Sequence, residues 1–406
     1  MAGTRTAVRP TAEQIDISAW KRFRADPADW FSPDEIAKAR AYSTPSRRFM
    51  RAARIAALVT EILVVVTHVV PNAIDALDVS NWVVGIALAV VVITGIDLVH
   101  QVPFTAHREL VFDKKWEFST QTTKGFVTDA LKGIAINVVM LSLISIPVWA
   151  AMRATDLWWL WGFALLTLFQ IGFLAIWPVW IAPIFNKFKP LEDQALRDEM
   201  LGLAKEVGVP VKDVLVSDAS KRDRRDNAYF AGLGRTRQLV LFDTILDRPR
   251  NQLRSVVAHE LGHWKLRHLV TTLPLAILMT FLSFAALGQL LQWDWLLDLA
   301  GVDHIGDPGG FPLFWLVFGS INRIPGFFTT ALSRVHEREA DLFALETTND
   351  PDSFIGAMRS LHVDNLVNLT PSWWLRFTRG HPYADERMAM ATEWASRKGI
   401  ELQPAE

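Results

Sequence analysis

The sequence predicts an all-α multi-pass membrane protein of about six transmembrane helices with a smaller α+β domain on its cytoplasmic side, and three observations predict it. Half of the 406 residues are hydrophobic, with 17 Trp and 24 Phe, which is more apolar than a soluble chain of this length carries. About six apolar runs are long enough to cross roughly 30 Å of hydrocarbon as helices. A polar insert of mixed helix and strand pattern separates the fourth run from the fifth.

The runs lie at Ala52–Val70, Trp82–Val102, Leu131–Ala151, Leu157–Ile181, Leu269–Leu291 and Phe311–Thr330. Core helices of soluble domains seldom hold uncharged stretches such as WVVGIALAVVVITGI. Charge orients the spans. SRRFMRAAR, Arg108, Lys114, Lys115 and Lys124 stand at one set of connections, whereas PNAIDALDVSN and QWDWLLDLAGVDHIGDPGG contain no Lys or Arg. The positive-inside bias therefore predicts cytoplasmic termini and a cytoplasmic insert. Glu61, His68 and Asp97 fall inside spans, where ionisable groups mark an ion pathway or sit at helix ends and in the bundle interior; a transporter would depend on them.

The organisation expected is a polar cytoplasmic segment at 1–50, four transmembrane helices with a cytoplasmic loop at 51–185, the insert at 186–268, two further transmembrane helices at 269–330, and a cytoplasmic catalytic segment at 331–406. Within the insert, LEDQALRDEMLGLAKEVGV has helical spacing and VKDVLVSD reads as a strand. NAYFAGLGRTRQLVLFDTIL reads as a β-hairpin. The net charge of −1 argues against a nucleic-acid partner. The absence of cysteine excludes disulfides, thiol nucleophiles and Cys-ligated metal, so any metal needs His and carboxylate ligands.

Such ligands occur in VVAHELGHWKLRH. His259 and His263 are four apart, on one helix face, and can offer imidazole nitrogens to one ion; Glu260 beside them can reach a metal-bound water. A catalytic zinc takes three protein ligands, so one more is owed from another helix. SRVHEREADLFA supplies Glu337 as that ligand, and Asp341, one turn on, can hold a ligating histidine from behind. Val256, Val257, Ala258 and Leu261 make the first helix apolar, where buried imidazoles and a carboxylate are costly without a metal. His268, His336 and His362 are read as non-ligands.

These two segments run in order with VPFTAHRELVFDKKWEFSTQTTKGFVTDALKG, IAPIFNKFKPLEDQALRDEM, SDASKRDRRDNAYFAGLGRTRQLVLFDTIL and NLVNLTPSWW…GHPYADERM. Together they resemble the type I CAAX prenyl endopeptidase family of multi-pass membrane zinc metallopeptidases, with HtpX-like membrane proteases as more distant relatives. The resemblance implies a gluzincin-like metalloprotease domain holding one Zn2+ per chain on His259, His263 and Glu337. It also implies Glu260 as the catalytic base, Asp341 behind the ligands, Asn227 on the substrate backbone or transition state, and His381 and Arg387 in the pocket facing the zinc. Asn227 reads equally as a turn residue, Arg387 as a surface charge and His381-Pro382 as a loop dipeptide. One departure stands out: a polar segment precedes SRRFMRAAR where eukaryotic relatives have the first helix of a seven-helix chamber.

The function expected is zinc-dependent hydrolysis of peptide bonds in membrane-associated or lipidated, CAAX-like substrates; the runner-up is a general quality-control protease of damaged membrane proteins. The partners expected are a peptide or protein substrate, prenylated or not, and the lipid bilayer. A composition rich in Arg, Ala and Trp points to a bacterial cell membrane.

Overall fold

The computed structural model describes residues 26–232 and 237–403. Part of the expected N-terminal segment, most of the GLGRTR turn and residues 404–406 lie outside them. The chain opens with helices α1 (Pro33–Val66), α2 (Val69–Ala76), α3 (Trp82–His107), α4 (Thr123–Ala154) and α5 (Trp158–Ile176). Then come β1 (Phe188–Pro190), α6 (Gln194–Glu206), β2 (Asp213–Ser217), β3 (Ala228–Ala231), β4 (Gln238–Phe242) and α7 (Arg250–Lys265). It ends with α8 (His268–Leu290), α9 (Phe311–Ile321), α10 (Arg323–Thr348), α11 (Pro351–Asp364), α12 (Trp373–Thr378) and α13 (Ala384–Lys398).

Polar side chains start the helices where the pattern places them. Asn81 Oδ1 accepts from the Val83 amide at 2.9 Å to cap α3, Thr122 Oγ1 accepts from Gly125 at 2.9 Å to cap α4, and Asp193 Oδ1 accepts from Leu196 at 3.0 Å to cap α6. The described residues form two compact units, one drawn from residues 26–46, 178–232, 237–273 and 328–403, the other from Arg47–Trp177 and Pro274–Phe327.

The second unit is helical. Its core gathers Ile86, Trp149, Phe284, Phe311 and Phe314, with Trp149 stacked on Phe311 at 5.4 Å and its indole donating to the Asp307 carbonyl at 3.2 Å. Outward faces stay apolar: Val99 and Leu168 are 79% and 69% exposed. So large an apolar surface suits lipid as the solvent, where only the backbone needs internal hydrogen bonds. Among the described residues, Trp82–Lys115, Thr123–Ala154, Trp158–Phe185 and His268–Leu290 are long and apolar enough to cross a membrane. The pair α1 and α2, bent by 48°, would make a fifth. The expected six differs for two reasons. His68 adopts a left-handed backbone (φ 53°) that interrupts the first run, and α9 stops at Ile321, so that the run Phe311–Thr330 is divided between α9 and α10.

The first unit contains the only sheet among the described residues, in the order β1-β2-β4-β3. β2 and β4 are parallel (Asp213↔Gln238 to Ser217↔Phe242), while β3 pairs antiparallel with β4 (Ala228↔Leu241 to Ala231↔Gln238), as the hairpin pattern predicts. β1 pairs antiparallel with β2 and carries Pro190, which an edge strand tolerates; nothing in its sequence had signalled a strand. α7 buries Leu253, Val257 and Leu261, one residue per turn along a single stripe. α10 buries His336, Glu337, Ala340, Asp341, Phe343 and Ala344, so the stripe that packs the helix also carries its acids. Leu342, Phe343, Phe354, Met388 and Trp394 complete the core. After Leu266 the chain turns through Arg267, in the left-handed region at φ 58°, which separates α7 from α8.

Gly262 sets how closely α7 lies on α10. A Cβ there would stand 3.1 Å from the Ala340 Cα and 3.1 to 3.2 Å from Phe343 side-chain atoms. Gly262→Val is expected to lower stability by about 1–3 kcal/mol through overpacking and to loosen metal binding together with it. Thermal melting of the purified protein, with metal content measured on the same samples, checks both effects.

Candidate metal centre

α7 presents His259 and His263 on one face and α10 brings Glu337 against them. His259 Nε2 lies 3.2 Å from His263 Nε2 and 3.4 Å from Glu337 Oε2; His263 Nε2 lies 3.5 Å from Glu337 Oε1. A tetrahedral zinc with bonds near 2.05 Å separates its ligand atoms by about 3.3 Å, so the two imidazole nitrogens, each facing a different Glu337 oxygen, have the spacing that such an ion requires. Glu337 Oε2 is buried and has no hydrogen-bond donor, although His381 Nδ1 approaches it to 2.9 Å at ion-pair distance. An orphaned buried carboxylate oxygen facing two imidazole nitrogens fits a bound cation.

Behind His259, Nδ1 meets Asp341 Oδ1 at 2.8 Å. Asp341 is fully buried and is gripped on both oxygens by Arg387, whose Nε donates to Oδ2 at 2.8 Å and whose Nη2 pairs with Oδ1. Arg387 was expected in the pocket facing the metal. It lies instead behind His259, 8% exposed, with Nη2 3.3 Å from His259 Nδ1. Asp341 cannot be buried as an anion without a cation, and Arg387 supplies it.

These contacts set the proton affinities. Burial would push His259 down, but the carboxylates of Asp341 and Glu337 beside it hold it up at about 10. Burial, reinforced by the charge of His259, pushes His263 down to about 3. Burial raises Glu260 to about 7. Burial also works against Glu337, whose imidazole neighbours His259 and His381 nevertheless keep it below the carboxylate range. Burial opposes ionisation of Asp341 too, and the charge of Arg387 overcomes it.

The other expected residues are placed as follows. Glu260 follows His259 on α7 and forms no hydrogen bond or ion pair with the described residues. His381 reaches Glu337 from the segment before α13 and is 60% exposed, at the mouth of the site. Asn227 immediately precedes β3, and its Oδ1 accepts from the Ala228 amide at 2.9 Å. Among the described residues it touches none of His259, His263 and Glu337. His362, read as a non-ligand, is buried with its Nδ1 2.8 Å from the Met358 carbonyl. A cavity of about 430 Å3 is lined by His263, Glu337, Trp264, Arg237, Arg267 and Ser333. One set of neighbours escaped the sequence reading. His268 Nδ1 stands 2.8 Å from His263 Nδ1, although at five residues' spacing on an unbroken helix the two would point about 140° apart. The left-handed Arg267 brings them together.

Residues 190–395 match the profile of the family described as Peptidase family M48, and residues 17–187 match one described as CAAX prenyl protease N-terminal, five membrane helices. A CAAX prenyl protease 1 homolog of Taenia solium is 29% identical over 323 residues, covering 71% of this chain and 67% of its own. One of Oryza sativa subsp. japonica is 29% identical over 302 residues, covering 73% and 70%. The crystal structure of S. mikatae Ste24p superposes with a TM-score of 0.82 at 24% identity, covering 91% of this chain and 92% of that one.

His263 and Glu337 favour their deprotonated forms near neutrality, so among these three candidate ligands His259 is the one that would lose a proton to a bound metal. Because its affinity for that proton is raised, the proton competes with the ion up to about pH 10. Release of one proton per ion is expected, with affinity rising about tenfold between pH 7.5 and 8.5. Metal titration of the metal-free protein against a chelator, with proton release followed in weak buffer, measures both.

Proposed function

This chain belongs to peptidase family M48 and is a membrane-embedded metalloendopeptidase, and we propose that it works with one zinc ion held by His259, His263 and Glu337. The observation that carries the ligand set is the 3.2 Å spacing of the two imidazole nitrogens, each within 3.5 Å of a different Glu337 oxygen, one of which is buried without a donor. When bound, zinc polarises the scissile carbonyl and acidifies the attacking water.

The remaining chemistry belongs to the chain's own residues. Asp341 takes the Nδ1 proton of His259 in a hydrogen bond, which leaves the Nε2 lone pair directed at His263 and Glu337. Arg387 keeps Asp341 ionised for that task, so it positions a ligand and does not touch substrate. Glu260 accepts the proton of the attacking water as general base and returns it to the leaving amine as general acid. His381, exposed at the mouth, donates to the oxygen that becomes negative as the carbonyl is attacked. β3 is an edge strand, paired only with β4, and Asn227 opens it; an extended substrate can add there by backbone hydrogen bonds.

The substrates proposed are membrane-associated or lipidated, CAAX-like proteins, in keeping with the names of the relatives. The insert, the active site and both termini lie on the cytoplasmic side, as the charge bias requires. Cleavage of farnesylated against unprenylated CAAX peptides tests the first point. For the second, reporter fusions after residues 75 and 300 should read as external and one after residue 230 as internal.

Glu260→Gln is expected to retain zinc and membrane insertion while losing turnover by on the order of a hundred- to ten-thousand-fold. Asn227→Ala and His381→Ala should keep zinc and lose less, through misplaced substrate and lost oxyanion stabilisation. A peptide-cleavage assay with zinc measured on the same samples decides it. Near-normal cleavage by Glu260→Gln would reject the mechanism.

A further inference from the structure

His268, His336 and Glu339 form a second group whose possible ligand atoms lie within 4.8 Å of one another. Its composition suggests another metal site, but its geometry does not. The His268 and His336 rings stack nearly parallel, 4.2 Å between centroids at 7°. A nitrogen binds a metal through a lone pair in its ring plane, and two parallel, stacked planes share no point where one ion could satisfy both. His336 also has both nitrogens engaged, Nε2 with Thr271 Oγ1 at 3.0 Å and Nδ1 with Thr272 Oγ1 at 3.3 Å. The group points toward His263 instead.

We propose that Glu339 and His268 are positioning residues of the metal centre, forming a chain behind His263 that fixes which of its ring nitrogens is free to bind the ion. The proposal rests on the reading of His263 as a ligand. His263 Nε2 faces His259 and Glu337, and His263 Nδ1 faces His268 Nδ1 at 2.8 Å. Two ring nitrogens that close need one proton between them. If Nε2 of His263 gives its lone pair to the metal, the neutral ring carries its proton on Nδ1, so His268 Nδ1 accepts.

Neutral His268 must then carry its own proton on Nε2. That nitrogen is buried, lacks any other partner and stands 3.0 Å from Glu339 Oε2, somewhat off the line of an ideal hydrogen bond. Each proton position follows from the one before it. His336, held by the two threonines, keeps the plane of His268 in place by stacking. Partners behind a metal-bound histidine orient its ring and raise its basicity, and their loss costs roughly ten- to a hundredfold in metal affinity or activity.

The test uses the full-length enzyme in detergent, with zinc affinity measured by competition with a chromophoric chelator and metal stoichiometry by elemental analysis. His268→Ala is expected to weaken zinc binding roughly ten- to a hundredfold. His268→Asn, whose side-chain carbonyl can accept from His263 Nδ1, should recover part of the loss. Glu339→Ala, at a partly exposed position that disturbs the core little, should weaken binding on its own. The double variant His268→Ala/Glu339→Ala should bind as His268→Ala does, because Glu339 acts only through His268; a purely structural role would instead give losses that add. Wild-type affinity in both single variants overturns the proposal, and so do additive losses. A second equivalent of zinc, removed by His336→Ala, would overturn it in favour of a second metal site. His263→Ala separates the two levels of inference: full zinc retention there removes the ligand reading itself, whereas zinc loss there with none in His268→Ala removes only the chain behind it.

Discussion

The site is governed by the burial of two carboxylates on consecutive turns of α10. Glu337 and Asp341 are 4% and 0% exposed, and an uncompensated buried anion costs several kcal/mol. Compensation comes from other helices: Arg387 on α13 takes Asp341, and His259 on α7 stands between both acids. The packing of α7, α10 and α13 into one core is therefore tied to the electrostatics, since separating any pair would strand a charge. Without a metal, the proton held on His259 serves as the cation. Metal binding is thus an exchange of one positive charge for another in a site already shaped for it.

The apolar stripes that bring those helices together also place the acids. Val257 and Leu261 lie on the buried side of α7 that includes His259, and Ala340 and Ala344 lie on the side of α10 that includes Glu337 and Asp341. Small residues at the crossing, Gly262 against Ala340, let the backbones approach closely enough for imidazole and carboxylate to meet. Glu260 makes no hydrogen bond or ion pair among the described residues, and burial raises its proton affinity to about 7, which suits a group that takes up and returns a proton near neutral pH.

Much of this was legible in the sequence where local periodicity decides the outcome. The i, i+4 histidines, the turn between Glu337 and Asp341, and the alternation flanking GLGRTR are short-range patterns, and β3, β4 and both ligand helices form where those patterns lie. What was not legible depends on backbone breaks and distant partners. A non-glycine residue with a left-handed backbone leaves no mark in hydropathy, yet His68 divides the first membrane run and Arg267 separates α7 from α8. Arg387 could be assigned to the site by resemblance, but its place behind His259 depends on how α13 docks, a contact 46 residues away in sequence from Asp341.

The two histidines of the motif thus stand in different electrical settings despite their equivalent spacing. His259 is backed directly by a buried carboxylate that an arginine keeps ionised, whereas His263 is backed by the His268 ring and only beyond it by Glu339, which is partly exposed. A direct anion strengthens an imidazole as a base and holds it tightly; an intervening ring passes on orientation with less charge. The two rings shift oppositely, His259 held up by the Asp341 and Glu337 carboxylates against burial, His263 pushed down by burial and the charge of His259. His259 therefore favours its protonated form and His263 a free lone pair. If the two histidines hold an ion as proposed, this asymmetric support would let the site accept a cation by displacing a single proton.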